Sequence, residues 1–244
     1  MKIESGKRLY VAVIGARGYV GKAICDSLKN DSVHEVVEVT RTNYKKMKEQ
    51  KYDIIINSST PSKRFWAKQN PKKDFEETVR KTADLFYGWT FKKFIQISSV
   101  SSRCQLNTVY GRHKAAAENI CYSPNNLIIR LGPIFDETLS KGVLIDMLQG
   151  NTVFVDGDSR YCFISLRFVA KWICSHLDRV GLVEVGAKTS IALNNIAKHL
   201  GKEIYFDGAL DHQEIVNPEV SFPSADLVLE FLTEYKEKTR QCLA

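Results

Sequence analysis

An apolar run that ends in three evenly spaced glycines constrains this chain more than any other part of its sequence. Residues 9–21 read LYVAVIGARGYVG, so Gly15, Gly18 and Gly21 follow the run directly, and helix-forming residues come next at 22–24. This order predicts a strand, a tight turn and the start of a helix. Glycine at such a turn lets the backbone approach a pyrophosphate, and the N-terminus of the helix offers free N–H donors to it. The segment therefore predicts a nucleotide-binding turn.

Short apolar strands alternate with amphipathic helices along the first 135 residues. Strands are predicted near 9–14, 35–40, 53–57, 93–98 and 126–131, and helices near 19–29, 74–88 and 109–121. This alternation predicts an α/β fold of the Rossmann type, with a doubly wound parallel sheet covered on both faces. The elements then become shorter, with strands predicted near 152–155, 161–165, 181–185 and 202–207, and helices to 150, near 167–178, at 190–200 and from 224.

The composition is that of a soluble globular protein long enough to bury a core. The chain has 244 residues, of which 44% are hydrophobic and 26% charged. No run reaches the roughly 20 apolar residues of a membrane span, and residues 9–16 do not form an export signal. The six cysteines lack C-x-x-C spacing and the five histidines lack metal-ligand spacing. We therefore expect reduced thiols, no metal, no membrane partner and a cytoplasmic location.

The net charge of +7 is concentrated in the part of the chain that carries the glycine turn. Residues 1–150 hold 25 Lys and Arg against 15 Asp and Glu, a balance of +10, and the remaining residues hold 10 against 13, a balance of −3. A solvated lysine-rich surface is one interpretation. A polyanionic ligand, such as a dinucleotide or a sugar nucleotide, is the other. No nucleic-acid-binding motif accompanies the charge, so nucleic acid is not expected as a partner.

A second group of polar residues follows the predicted strand at 93–98. Ser98 and Ser99 end this strand at the carboxyl edge of the sheet, where open α/β folds bind their ligands. Tyr110 and Lys114 stand four residues apart at the start of a helix, and therefore on one face. A lysine ammonium favours a tyrosine phenolate, and a serine hydroxyl can orient a carbonyl or an alcohol. Three such side chains could move a proton while a nicotinamide moves a hydride.

At these residues the chain resembles the extended short-chain dehydrogenase/reductase family, the NAD(P)-dependent nucleotide-sugar epimerases, dehydratases and reductases. The resemblance covers nearly the whole chain and rests on motifs in the family's order: VIGARGYVG, NSSTP at 57–61, ISS at 97–99, YGRHK at 110–114 and IRLGP at 129–133. It implies that Ser99 is the catalytic hydroxyl, with Ser98 as its backup. It also implies that Tyr110 is the acid/base, and that Lys114 lowers the pKa of this tyrosine and holds the nicotinamide ribose.

The same resemblance implies which parts of the chain contact the two ligands. A dinucleotide-binding domain with the Ser/Tyr/Lys site would span 1–135, and a smaller substrate-binding α/β portion, interleaved with the last strands of the sheet, would span 136–244. The residues implied to contact the cofactor are Gly15, Arg17, Gly18, Tyr19, Val20, Gly21, Thr40, Arg41, Asn57, Ser58, Ser59, Ile97, Tyr110, Lys114, Leu131, Pro133 and Ile134. Those implied to contact the substrate are Thr60, Ser99 and Arg160. Since the family commonly dimerises through two helices, here 74–88 and 109–121, a homodimer is expected.

The choice between NAD and NADP is predicted from the end of the second strand. Enzymes of this kind that use NAD place an acidic residue there to bind the ribose 2′-hydroxyl, whereas an arginine accommodates a 2′-phosphate. Here the strand ends in Thr40 and Arg41, which favours NADP and leaves NAD possible. Arg17 in the glycine turn could supply a second cation. The alternative is that Arg41 is an exposed loop residue without a ligand.

The chain departs from the family at several positions. It is shorter, and only a dozen residues separate Arg41 from the next strand at Asp53, so the strand whose aspartate normally touches adenine is expected to be missing. Thr78 stands where the family usually has asparagine, and Phe168 where it commonly has aspartate. The loop between the catalytic serine and tyrosine is also shorter than usual and must bend sharply. These differences predict a smaller or differently shaped substrate pocket.

Two further residues near the predicted site have other expected roles. Arg130 ends an apolar strand, where it could meet a substrate anion or form a structural ion pair. His113 lies within the Tyr–Lys motif but on a different helix face from Tyr110, so its ring is expected to face solvent.

Three functions fit these observations. The first is an NAD(P)-dependent oxidoreductase or epimerase/dehydratase that acts on a sugar or nucleotide-sugar, with hydride transfer and Tyr110 as the acid/base. The second is a catalytically silent NADP-binding regulatory protein of the same fold, although retention of serine, tyrosine and lysine together argues for the enzyme. The third starts from the similarity of GARGYVG to acyl-phosphate reductases, which use a cysteine nucleophile, but no cysteine here lies in a nucleophile motif. Reduction, epimerisation and dehydration share one half-reaction, so the three side chains do not separate them.

Overall fold

The computed structural model describes residues 8–31 and 33–241 and divides the chain into two compact units. Unit 1 comprises the residues up to Leu131 together with Arg167–Val183, and unit 2 comprises Gly132–Leu166 and the residues from Glu184 onward. The first transition lies close to the predicted boundary after residue 135, but the segment 167–183 returns to unit 1.

The sheet of unit 1 runs in the order β2, β1, β3, β4, β5, β9. Its strands are β1 (Tyr10–Ile14), β2 (Glu35–Val39), β3 (Lys51–Asn57), β4 (Thr90–Ser99), β5 (Leu127–Leu131) and β9 (Gly181–Val185), of which the first three residues of β9 belong to this unit. The pairs from β2 to β5 are parallel, and Ile54, Ile55 and Ile56 in the central strand are fully buried. Burial of successive residues means that both faces are covered, so the predicted α/β fold with a parallel sheet is confirmed.

The helices of unit 1 are α1 (Tyr19–Asn30), α2 (Tyr44–Met47), α3 (Arg64–Gln69), α4 (Pro71–Phe75), α5 (Lys81–Gly88), α6 (Ser101–Cys104), α7 (Val109–Cys121) and α9 (Leu166–Ser175). A π-turn (Glu76–Arg80) joins α4 to α5, so the helix predicted over 74–88 is continuous but locally wider than an α-helix. In α1, the buried residues Ile24, Cys25 and Leu28 recur at helical spacing.

Unit 2 has its own apolar core and short elements. These are β6 (Ile134–Phe135), α8 (Val143–Gln149), β7 (Arg160–Tyr161), β8 (Ile164–Ser165), β10 (Ile191–Ala192), α10 (Leu193–Leu200) and α11 (Leu227–Gln241). β6 pairs with β8 in parallel and β7 with β10 in antiparallel orientation. The strands predicted at 152–155 and 202–207 are wrong, because these segments share only one isolated bridge, between Val153 and Phe206.

The described residues contain neither a membrane-spanning helix nor a metal-binding cluster. Among the helices of 8–31 and 33–241, none combines the length and apolar character needed to cross a membrane. Over the same residues, no group of three or more His, Cys, Asp or Glu side chains could hold a metal ion.

Candidate active site

The glycine turn follows β1 and has glycine where side chains would not fit. Gly15 has a φ of +81°, and a Cβ there would lie 2.8 Å from the Cα of Ser59. A Cβ at Gly21 would lie 2.3 Å from the carbonyl oxygen of Gly15. The N–H of Gly18 donates to the same oxygen at 2.8 Å and closes the turn. The close packing of strand, turn and helix therefore requires Gly15 and Gly21 in particular.

The helix after this turn presents an N-terminus suited to a phosphate. α1 begins at Tyr19 with Gly18 as its cap, and the first turn contains no acidic residue and no side-chain cap. The first N–H groups of a helix lack intrahelical partners, and the helix dipole is positive at this end. The predicted cofactor residues Arg17, Tyr19 and Val20 lie at this turn, with Arg17 exposed. The geometry fits a pyrophosphate without any acidic group to repel it.

The end of β2 is tied to the glycine turn. The N–H groups of Gly15 and Ala16 both donate to the carbonyl of Val39, at 3.0 and 3.3 Å. Thr40 follows, and its N–H donates to the side chain of Asn43 at 2.7 Å. Arg41 is exposed and, within the described part of the chain, its guanidinium has no ion pair. An exposed arginine therefore follows the strand whose end is hydrogen-bonded to the glycine turn.

The interval between β2 and β3 contains only the four-residue helix α2. β2 is consequently the last strand of the sheet on this side among the described residues. The strand that was expected to be missing here, next to the adenine, is absent from this interval, and α2 takes its place. Tyr44 of α2 packs against Trp89 with ring centroids 5.0 Å apart.

The polar residues after β3 shape the site mainly through bonds within the protein. Asn57 is fully buried; its amide donates to Gln96 at 2.9 Å and its oxygen accepts from the hydroxyl of Ser59 at 2.7 Å. The hydroxyl of Ser58 donates to the carbonyl of Ile14 at 2.7 Å. Asn57 and Ser58 therefore hold β3 against the glycine turn, in addition to their predicted place beside the cofactor.

Ser99, Tyr110 and Lys114 come together at the carboxyl end of β4. Ser99 is hydrogen-bonded to the hydroxyl of Tyr110. The ammonium nitrogen of Lys114 lies 5.3 Å from the ring centroid of Tyr110 and donates to the hydroxyl of Thr60 at 2.5 Å. Tyr110 and Lys114 are 5% and 3% exposed. The structure thus brings the three predicted catalytic side chains and Thr60 into one cluster, in which Tyr110 and Lys114 are buried and Ser99 and Thr60 are partly exposed.

The short loop between Ser99 and Tyr110 bends sharply, as predicted. It contains α6 and then a cap, in which the hydroxyl of Thr108 accepts from the N–H of Gly111 at 3.0 Å. A Cβ at Gly111 would lie 2.1 Å from the carbonyl oxygen of Gln105. Glycine after the tyrosine therefore lets α7 start close enough to α6 for Tyr110 to reach Ser99.

Burial and charge act against each other on the tyrosine and the lysine. Burial raises the pKa of Tyr110 to about 12, while the bond to Ser99 and the positive charge of Arg64 act to lower it. Burial lowers the pKa of Lys114 to about 8, while the carboxylates of Asp74 and Glu118 act to raise it. Lys114 can stabilise a phenolate only while it is charged. Lys114 carries this charge below about pH 8.

Ser98 and Arg130 belong to a separate buried network. The hydroxyl of Ser98 donates to Glu118 at 2.5 Å, and the hydroxyl of Ser102 donates to the same oxygen at 2.5 Å. Arg130 pairs with Glu118 through two nitrogens, at 2.7 to 3.1 Å. Of the two roles left open for Arg130, the structure shows the ion pair. Ser99 and not Ser98 contacts Tyr110.

The expectation that His113 faces solvent is wrong. Its side chain is 19% exposed, and its Nδ1 lies 2.7 Å from a carboxylate oxygen of Asp74, which is fully buried. The other oxygen of Asp74 and the hydroxyl of Thr78 are buried without a hydrogen-bond partner. Asp74 was not among the predicted site residues. It stands among other charged residues at the start of a predicted amphipathic helix, so no local signal distinguishes it.

The remaining predicted ligand contacts are divided between the two units. Ile97 in β4 and Leu131 at the end of β5 are buried in unit 1. Pro133 and Ile134 lie in unit 2, as does Arg160, whose guanidinium donates to the side chain and carbonyl oxygens of Ser190 at 3.0 and 2.8 Å. The latter bonds fix the orientation of Arg160 within unit 2.

A parallel sheet with a glycine turn, an uncapped helix N-terminus and a serine–tyrosine–lysine cluster is the arrangement of an α/β protein of the dinucleotide-binding class. Residues 11–126 match the NAD dependent epimerase/dehydratase family, which confirms the resemblance to extended short-chain dehydrogenases/reductases. The match covers just under half of the chain. A search of curated proteins gave no significant match.

Solved structures share the fold across almost the whole chain. One is the UDP-glucose 4-epimerase of Thermotoga maritima with UDP-glucose, at 16% identity and a TM-score of 0.76, covering 96% of this chain and 99% of that one. Another is MoeE5 in complex with UDP-glucuronic acid and NAD, at 13% identity and a TM-score of 0.76. It covers 94% of this chain and 99% of that one. A third is dTDP-4-dehydrorhamnose reductase of Bacillus anthracis in complex with NADP, at 15% identity and a TM-score of 0.73. It covers 95% of this chain and 100% of that one. At these identities the similarity shows the fold.

Proposed function

We propose that this protein is an NADP-preferring enzyme that transfers hydride between the nicotinamide and a carbon of a sugar or nucleotide-sugar, with Tyr110 as its acid/base. The observation that carries the proposal is the contact of Ser99 with Tyr110 beside Lys114. A regulator that only binds a dinucleotide needs the glycine turn. It does not need a hydroxyl, a phenol and an ammonium assembled in one cluster.

The residues of unit 1 have distinct roles in this reaction. Gly15, Gly18 and the N-terminus of α1 would hold the pyrophosphate, and Lys114 would hold the nicotinamide ribose. The bound nicotinamide supplies or accepts the hydride. In the reducing direction, Ser99 donates a hydrogen bond to the substrate carbonyl, and Tyr110 gives its proton to the oxygen as the carbon becomes tetrahedral. The phenolate that remains is stabilised by Lys114 and Arg64 until it regains a proton.

The preference for NADP rests on Arg41 and, beside it, Arg17. Both are exposed cations near the turn, and neither has an ion pair in the described part of the chain. A 2′-phosphate adds a second negative site that an acidic residue would repel and an arginine would bind. Among the structures with this fold, MoeE5 holds NAD and the dehydrorhamnose reductase holds NADP, so both cofactors suit the scaffold.

The substrate class is proposed from the family and from the ligands of those structures. UDP-glucose and UDP-glucuronic acid are bound in two of them. In this chain, Ser99 and Thr60 would contact the sugar, and Arg160 of unit 2 is the candidate for the diphosphate. We also propose a cytoplasmic location and a homodimer through the helices at 74–88 and 109–121.

A binding titration tests the cofactor part of the proposal. Purified protein is titrated with NADPH and with NADH, and nicotinamide fluorescence is followed. We expect tight binding of NADPH and weaker binding of NADH. Equal affinities would contradict the NADP preference, and binding of neither would overturn the enzyme.

A screen of UDP- and dTDP-sugars then tests turnover. Stoichiometric loss of NADPH absorbance identifies a reductase. Product formation at constant absorbance identifies an epimerase or dehydratase, because these regenerate their cofactor within one cycle. Tight NADPH binding with no product from any sugar would favour the catalytically silent regulator. This second candidate is favoured by the shortened segment between β2 and β3, where the family has a further strand next to the adenine. Among the described residues, β2 is the edge strand on that side.

A further inference from the structure

Two buried groups of opposite charge lie on adjacent elements of the active-site region, and each has unused hydrogen-bonding capacity. Asp74 in α4 is fully buried, and only one of its two oxygens has a partner, the Nδ1 of His113. Lys114 in α7 is 3% exposed and donates to Thr60. An ammonium has three donors, so one bond to a hydroxyl leaves it short of partners. α4 and α7 pack against each other.

The other charged groups around Lys114 are already engaged. Glu118, one helical turn further along α7, is bound by Arg130 of β5 and by Ser98 and Ser102. Arg64 of α3 acts on Tyr110, the remaining titratable group of the cluster. On the π-turn and α6, Glu76, Glu77 and Arg103 are partly exposed, and Glu77 pairs with Lys81. Asp74 is thus a fully buried carboxylate near Lys114 with one oxygen that no donor binds.

We propose that Asp74, oriented by His113, is the buried counter-charge that keeps Lys114 protonated and thereby preserves the cation beside Tyr110 at neutral pH. Asp74 is a positioning residue, because its favourable effect on the reacting tyrosine passes through the lysine. Its own charge acts directly on Tyr110 in the opposite direction and raises the pKa of the phenol. His113 holds one oxygen of Asp74, which leaves the second oxygen and its charge directed into the protein. The catalytic consequence rests on the proposed function, but the pairing of the two charges does not.

The physical basis is the cost of burying an ammonium. Burial alone favours the neutral amine, and only a nearby negative charge or a hydrogen bond restores the charged form. The pKa of Lys114 is lowered to about 8, and Asp74 is the larger of the two contributions that oppose this lowering. Without Asp74, the lysine would lose its proton at a still lower pH, so a larger fraction of it would be neutral at pH 7.

An NMR titration of lysine side chains measures this directly and needs no substrate. Protein labelled with 13C-lysine is titrated from pH 5 to pH 11, and the Cε signal of Lys114 is assigned with Lys114→Arg. Lys93 is an internal control: it is 4% exposed, donates to the carbonyl of Arg179 at 2.5 Å, and has a pKa also lowered to about 8 by burial, with Asp178 as its opposing charge. In Asp74→Asn, we expect the midpoint of Lys114 to fall by about one pH unit or more and that of Lys93 to stay unchanged.

Substitutions of His113 give a second test that leaves the carboxylate in place. His113→Gln retains a donor for Asp74 and should keep the midpoint of Lys114. His113→Leu removes the donor, so the carboxylate loses its orientation and the midpoint should fall. The proposal is overturned if the midpoint of Lys114 is unchanged in folded Asp74→Asn. Should that variant not fold, equal midpoints in His113→Gln and His113→Leu would overturn it.

The outcome is separable from that of the proposed function. NADPH binding and turnover are measured on the wild-type protein, whereas the lysine titration compares variants without any ligand. If the protein binds no NADPH or has no turnover, the expected change in the titration midpoint of Lys114 still stands. If that midpoint is unchanged in Asp74→Asn, the proposed enzyme function still stands.

Discussion

Gly111 lies against the carbonyl of Gln105 so closely that a Cβ on Gly111 would be 2.1 Å from that oxygen. The same Cβ would be 2.6 Å from the carbonyl of Ser101, so backbone of α6 meets it on two sides. Neither contact can be relieved by turning a side chain. The distance between α6 and α7, and with it the bond of Ser99 to Tyr110, depends on a missing methyl group.

Gly111→Ala is therefore expected to lower both stability and turnover. Overpacking of this kind costs about 1–3 kcal/mol, and a displaced α7 would weaken the bond between Ser99 and Tyr110. Urea denaturation and single-turnover kinetics measure the two effects. Gly88→Ala is the matched control, because its Cβ would meet only the flexible end of Lys48. Equal stability of the two variants would contradict the close packing.

Tyr110→Phe removes the proton donor and leaves the ring in place. We expect kcat to fall by about 10²–10⁴-fold, with the dissociation constant of NADPH almost unchanged. Fluorescence titration and turnover of the best nucleotide-sugar give the two values. Tyr87→Phe, on an exposed tyrosine, should change neither. Full activity of Tyr110→Phe would exclude this residue as the acid/base.

Turnover is expected to fall as the pH rises through about 8. Lys114 has its pKa lowered to about 8, so its positive charge is present below that value and lost above it. A neutral lysine no longer stabilises the phenolate of Tyr110. The profile of kcat/KM between pH 6 and pH 10 should therefore show an alkaline limb near 8. Constant activity up to pH 10 would show that the reaction does not depend on this charge.

Arg41→Ala should weaken NADPH binding by about tenfold or more and leave NADH binding unchanged. The guanidinium makes a charge-assisted bond to a 2′-phosphate, which NADH lacks, and a bond of this type contributes about 1.5–3 kcal/mol. The two dissociation constants are measured by nicotinamide fluorescence. Arg80→Ala, on an exposed arginine of the π-turn, serves as control and should affect neither cofactor. Equal loss for both cofactors would assign Arg41 another role.

Lys93→Met should reduce the increase in the free energy of unfolding between pH 8 and pH 10. The pKa of Lys93 is lowered from 10.5 to about 8, so between these values the unfolded chain binds more protons than the folded one. Folding then becomes more favourable as pH rises, by at most about 3 kcal/mol for this group. We expect the free energy of unfolding of the wild type, relative to Lys93→Met, to increase between pH 8 and pH 10. A constant difference, measured by urea denaturation, would contradict the lowered pKa.

The local sequence pattern was sufficient to predict the strands of the sheet and the grouping of Ser99, Tyr110 and Lys114. Each apolar run of unit 1 became a strand, because a buried parallel strand needs no alternation and no long-range information beyond its flanking turns. The contact of Tyr110 with Lys114 follows from four-residue spacing on one helix. The contact of Ser99 with Tyr110 was expected from the order of motifs, and the compact cap at Thr108 explains how a short loop achieves it.

Elements of four to six residues were beyond the reach of periodicity. α2, α3 and α6 are too short to show an apolar face, and none was predicted. The opposite error occurred at 152–155 and 202–207, where apolar residues suggested strands. Val153, Val155, Ile204 and Phe206 pack in or against the core of unit 2, whereas Phe154 and Tyr205 are exposed. The backbone bridge between the two segments is confined to Val153 and Phe206.

Contacts between distant residues explain the error at His113. Asp74 is 39 residues away in the chain, and nothing near His113 indicates that a buried carboxylate will lie beside it. A helix face that points away from Tyr110 was interpreted as a face in water. In the folded chain this face packs against α4, which covers most of the imidazole.

The division of the chain into units has a consequence for the order in which it folds during synthesis. The polypeptide passes between the units after residues 131, 166 and 183, so neither unit is a single continuous segment. A ribosome must add more than 50 residues beyond β5 before β9 can join the edge of the sheet, since β9 begins at Gly181. A fragment ended at residue 135 would lack both α9 and β9. The glycine turn and the serine–tyrosine–lysine cluster are synthesised early, but their sheet is completed only after most of the chain has emerged.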